Sequence, residues 1–320
     1  MTRARRAKWG ALLFVATITF ASATVGVTHG AFAGQTSEGA NVIAAMPDFR
    51  APTVSNLVIG KNSGGATGFI KSGATYRVYA QVTDVGTPPS GTASVVANVA
   101  NLTAAGTAVT MTAGSYTAGG QSFNYASPVL TAGTLGNGPQ TFSVTATDAA
   151  ANATSPTANV TVDNVAPAPT NISASGGIAG RPEAGDVLTL TTSEALDSFS
   201  LLANWTGAAT TVQARLVNNT GADRLQIWNA AGTTQLPFGT IALGRTDFSS
   251  GTTISFNGST MTQSSGVITV TLGAPITGTA VTVGGTGTMV WTPVNTVTDR
   301  AGNAITTSAF NEPPPSDRDF

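Results

Sequence analysis

Residues 140–170 read QTFSVTATDAAANATSPTANVTVDNVAPAPT, and the reading of this stretch decides the fold. Phe142, Val144 and Ala146 alternate with polar neighbours, which places them on one face of a strand. Asp148 opens a turn that Asn152 closes, and a second strand runs through Val160 and Val162. Pro167 and Pro169 then withhold the donors a central strand needs, so a final hairpin is followed by a linker. The same signals return outward along the chain. Asp48-Phe49-Arg50-Ala51-Pro52 repeats the Asp-x-x-Ala-Pro of 163–167, and Thr298-Asp299-Arg300-Ala301-Gly302-Asn303 repeats the Thr-Asp-x-x-x-Asn turn of 147–152. Two consecutive modules of related design follow from that repetition.

The composition agrees with sheets and turns. Of 320 residues only 9% are charged and 37 are glycine, whereas Lys and Glu, good helix formers, are scarce. The length suffices for two cores. The fold class expected is all-β: two tandem β-sandwiches after an N-terminal signal segment. The first module spans 51–165, with strands at 53–59, 75–83, 94–99, 109–111, 122–125, 140–147 and 158–163; about seven short strands in some 115 residues is the arithmetic of a sandwich. The second spans 166–311, with strands at 185–196, 211–217, 224–228, 253–256, 267–272 and 289–291, and an Asn257-Gly258 hairpin signal. Residues 312–320, with Pro313-Pro314-Pro315 and several charges, read as a disordered tail.

The N-terminus reads as an export signal, residues 1–30, followed by a linker over 31–50. Arg3, Arg5, Arg6 and Lys8 precede an uncharged, mostly apolar stretch from Trp9 to Val27. Cleavage near Gly30 would remove four of the 14 basic side chains and none of the 15 acidic ones, leaving a net charge of about −5. Such a protein has no electrostatic footprint for nucleic acid, and it would meet a membrane only through an uncleaved leader. An extracellular or cell-surface location follows.

Two resemblances extend this reading. His29-Gly30-Ala31-Phe32-Ala33-Gly34-Gln35-Thr36-Ser37, with Ala44-Ala45 before Asp48-Phe49, resembles the leaders of bacterial surface proteins processed by the SipW-type signal peptidase, a group that includes biofilm-matrix fibre proteins. That resemblance implies export and processing. The ending of the first module, and Gly185-Asp186-Val187-Leu188-Thr189-Leu190-Thr191-Thr192-Ser193-Glu194-Ala195-Leu196 in the second, resemble bacterial immunoglobulin-like domains of cell-surface proteins. The whole arrangement is similar to exported proteins of actinobacterial type. Tandem immunoglobulin-like domains are what these resemblances imply.

Function classes narrow quickly. The chain has no cysteine and one histidine, His29, in or beside the leader, so Ser-His-Asp and Cys-His sites and His/Cys zinc sites are excluded from the mature chain. Glu183, Asp186, Glu194 and Asp197 lie close in sequence, but they flank one strand and no second acidic cluster faces them; a non-catalytic protein is expected. Asp148, Asn152, Asp163 and Asn164 surround the domain junction and are candidate calcium ligands, the one cofactor the sequence suggests; Asx turns explain them equally. Trp205, Trp228 and Trp291 offer either core residues or a sugar-stacking platform. The expected function is therefore a secreted or cell-surface structural or adhesive protein of the envelope or biofilm matrix. The alternative is a carbohydrate-binding exoprotein. Partners would be envelope or matrix components, protein or polysaccharide. Residues 31–45 would serve either as a tether or as a strand that completes a neighbour's sheet, giving a homopolymer.

Overall fold

The computed structural model describes residues 48–320. The signal segment and most of the linker, with His29 and residues 31–45, lie outside the described residues. The eleven strands of the first module are β1 (Thr53–Lys61), β2 (Phe69–Ile70), β3 (Thr75–Thr83), β4 (Thr92–Asn98), β5 (Val109–Thr110), β6 (Thr112–Ala118), β7 (Gln121–Ala126), β8 (Leu130–Thr131), β9 (Gly138–Asp148), β10 (Ala153–Thr154) and β11 (Thr157–Val162). They form two sheets. One runs β1-β3-β7-β6 with β8 on β3; the other runs β2-β11-β9-β4-β5 with β10 on β9. All pairs are antiparallel except β2 with β11, where Phe69 faces Thr161 and Ile70 faces Val162 in parallel register. After β1 the chain crosses to the opposite sheet and closes it beside the module's last strand. The alternation of β9 buries Phe142, Val144 and Ala146, which meet Tyr76 and Val78 of β3 in the core between the sheets.

The second module contains β12 (Pro169–Ser175), β13 (Val187–Thr192), a single helical turn α1 (Ser198–Leu201), β14 (Thr210–Val217), β15 (Arg224–Asn229), β16 (Thr240–Ala242), β17 (Ile254–Ser264), β18 (Val267–Thr271), β19 (Ala274–Thr277), β20 (Val290–Thr292) and β21 (Phe310–Asn311). It differs from the first in being one ten-stranded sheet, with the path β12-β13-β18-β17-β14-β15-β16-β20-β21 and β19 on β17. The two ends of that path, β12 and β21, lie side by side, so the sheet curls into a barrel-like body. Leu188, Leu190, Val212, Leu216, Phe248, Phe256 and Trp291 fill it. Pro169 is the first residue of an edge strand, where a missing donor costs nothing. The molecule is nearly all-β, and among the described residues no helix is long and apolar enough to cross a membrane.

Two expectations are corrected. Asn257-Gly258 does not turn a hairpin: it lies inside β17, at a bulge where the register against β14 shifts between Val212 and Ala214. Gly258 takes φ 69° there, a left-handed conformation that glycine adopts without strain. Residues 312–320 are not a loose tail but are laid against the second module. Glu312 N–H donates to Met289 O at 2.8 Å, Gly287 N–H to Asp317 O at 2.8 Å, and Gly180 N–H to Phe320 O at 2.7 Å. Phe320 is buried and meets Phe248 edge-on at 6.2 Å. One terminal aromatic anchors a segment whose average composition is that of a disordered one.

Candidate functional site

A buried polar region lies where the modules meet, and three local structures build it. The end of β1, the loop after it and the start of β2 supply Lys61, Ala66 and Phe69. The loop after β13 supplies Glu194 and Asp197, and the closing turn of the second module supplies 299–303. Asp197 begins α1 as its N-cap, accepting from Phe199 N–H at 3.2 Å. Its other oxygen accepts from Lys61 Nζ at 2.7 Å and Ala66 N–H at 3.1 Å, and both charged side chains are buried. Lys61 Nζ also reaches Arg300 O at 2.6 Å, and Lys71 Nζ reaches Gly302 O at 2.6 Å. The Arg300 guanidinium lies 4.0 Å above the Phe69 ring, a cation–π contact across the junction.

The closing turns of the two modules are the same device. Asp148 Oδ1 accepts from Asn152 N–H and its Oδ2 from Asn152 Nδ2, both at 2.8 Å; Asp299 makes the same pair of bonds to Asn303 at the same distances. Asp148 thereby closes an Asx turn. In the second module the turn does one thing more: Asn303 Nδ2 donates to Asp163 O at 2.9 Å and so grips the linker.

Against that grip sits a cavity of about 180 Å³, lined by Phe69, Asp163, Glu194, Ala195, Asp299 and Arg300. Carboxylate oxygens of Asp163, Glu194 and Asp299 lie within 4.8 Å of one another. Asp299 has both oxygens engaged by its turn, and Asp163 Oδ1 accepts from Val165 N–H at 3.0 Å. Glu194 Oε1 is buried with no hydrogen-bond partner. Its carboxyl is pushed up to about 7, first by burial, then by the hydrogen bond and charge of Asp163 and the charge of Asp299, with Arg300 opposing. At neutral pH this group is therefore poised to hold a proton.

The sequence candidates are thus divided. Asp163 reaches the junction cluster, with Glu194 and Asp299 as partners the sequence did not couple to it. Asp148 and Asn152 close their own hairpin. Asn164 fastens loops of the first module, accepting from Ser72 N–H at 2.8 Å and donating to Leu135 O at 2.9 Å. Three of the four acids near β13 do separate work: Asp186 accepts from Gly177 and Glu183 N–H groups, Asp197 pairs with Lys61, and Glu194 lines the cavity. The tryptophan platform does not form. Trp205 and Trp291 are core residues that donate to Ala208 O at 2.6 Å and Phe238 O at 2.8 Å, and Arg215 covers the half-buried Trp228 ring at 4.0 Å. Trp291 enters the core from β20 and Trp205 from the loop between α1 and β14, which residue type alone does not reveal. No protein-family model matches the chain, and no curated protein matches it.

Proposed function

We propose that this chain is an exported, non-catalytic structural or adhesive protein of the cell envelope or biofilm matrix, built on immunoglobulin-like design. The observation that carries the proposal is the junction: the buried Lys61–Asp197 pair, with the Lys71, Asn303 and Arg300 contacts, commits the polar chemistry near the linker to holding one module on the other. A protein that must keep its modules in fixed relation while joined to other components needs such a joint. The immunoglobulin-like part rests on the first module, whose order β1-β3-β7-β6 against β11-β9-β4-β5 suits the ABED and GFC-C′ sheets of that fold. For the second module it rests on the sequences of residues 185–196 and of the closing turn 298–303. Export rests on the leader sequence.

Fractionation of the native host, with detection of this chain in wall, matrix, medium and cytoplasm, tests the proposal. Recovery in wall or matrix with the leader removed is expected. Recovery only in the cytoplasm, or only as free protein in the medium, contradicts it.

A further inference from the structure

A second carboxylate cluster lies beyond β21. That strand pairs with β20 through Val290 with Asn311 and Trp291 with Phe310, and Glu312 extends the pairing. The proline run 313–315 then turns the chain, which returns along the same loop: Ser316 Oγ meets Thr288 Oγ1 at 2.6 Å and Asp317 O accepts from Gly287 N–H. The reversal gathers carboxylate oxygens of Glu312, Asp317 and Asp319 within 4.8 Å of one another. Phe320, seated against Phe248, fixes its neighbour Asp319 at 1% exposure.

Neither carboxylate oxygen of Asp319 receives a hydrogen bond. A buried carboxylate without a donor is costly unless a proton or a cation compensates it. Glu312 Oε2 accepts from Met289 N–H at 3.2 Å, whereas Asp317 is exposed and leaves the cluster open to solvent. The junction cluster also holds an unpartnered oxygen, Glu194 Oε1, but there the other two carboxylates, Asp299 and Asp163, accept from nearby amides.

We propose that Glu312, Asp317 and Asp319 form a binding site for a hard divalent cation, calcium above all, which fastens the segment after β21 to the second module. Three carboxylates without His or Cys favour hard cations, and calcium, unlike magnesium, accepts irregular oxygen sets completed by water. With one ligand exposed, the affinity belongs with the weaker extracellular sites, a Kd of about 0.1–1 mM. Burial, and then the charges of Glu312 and Asp317, push the Asp319 carboxyl up to about 8; Glu312 is raised as well, first by burial.

The test is titration of the full chain with calcium chloride at pH 7.5 by calorimetry, with melts in calcium and in chelator. One calcium per chain and a Tm higher in calcium by about 2–4 °C are expected. Asp317→Asn, at an exposed position, and Asp319→Asn should each abolish the Tm difference, while Asp163→Ala at the junction should keep it. Identical melts with no binding heat at millimolar calcium overturn the proposal. So does a calcium effect that survives both Asp317→Asn and Asp319→Asn, or one that Asp163→Ala alone removes.

Discussion

At the scale of single residues, the paired Asx turns make a comparison inside one molecule. The fourth residue of the turn takes a positive φ in both, 69° at Ala151 and 94° at Gly302. Glycine suits that conformation and alanine is strained in it. Ala151→Gly should therefore stabilise the first module by about 0.5–1 kcal/mol, measured by urea denaturation; a loss of stability would contradict the turn geometry. Glu194 supplies a pH dependence. Its carboxyl is raised in the folded state from 4.5 to about 7, so the folded form binds the proton more tightly than the unfolded one. Its contribution is fully present below about pH 4.5 and is lost as pH rises through 7. Melts of Glu194→Gln should show a smaller decline than the wild type between about pH 4.5 and 7; the same decline in both would assign it elsewhere. The turns themselves were legible from Asp-x-x-x-Asn spacing. The partners of Glu194 were not, because nothing local says that the second module's closing turn folds back on the linker.

At the scale of elements, legibility followed alternation. β3 spans the residues its period-two pattern marks, 75–83, because Tyr76, Val78, Ala80 and Val82 all face the core. β6 carried no such signal: TAGSYTA is short of large apolar residues, and most of it is exposed. The Asn257-Gly258 pair misled because one left-handed glycine serves a bulge as well as a turn. The segment after β21 was misread because composition averages over a window, whereas one buried ring does the anchoring. Phe320→Ala should destabilise the second module by about 3–5 kcal/mol in chemical denaturation. An unchanged midpoint would show that the segment does not depend on that ring.

At the scale of the whole molecule, residues 49–320 behave as one compact unit although they contain two cores. What couples the cores is a polar joint, and removing one partner of a buried ion pair is far costlier than its presence is favourable. Lys61→Ala strands Asp197 with only amide donors and also frees Arg300 O, a loss of about 3–5 kcal/mol concentrated at the joint. Scanning calorimetry of the full chain tests this coupling most directly. The wild-type protein should unfold in a single transition with equal calorimetric and van't Hoff enthalpies, and Lys61→Ala should split it into two. Two separated transitions in the wild-type protein, or a single unshifted transition in Lys61→Ala, would contradict the claim that this joint makes the two modules one structural unit.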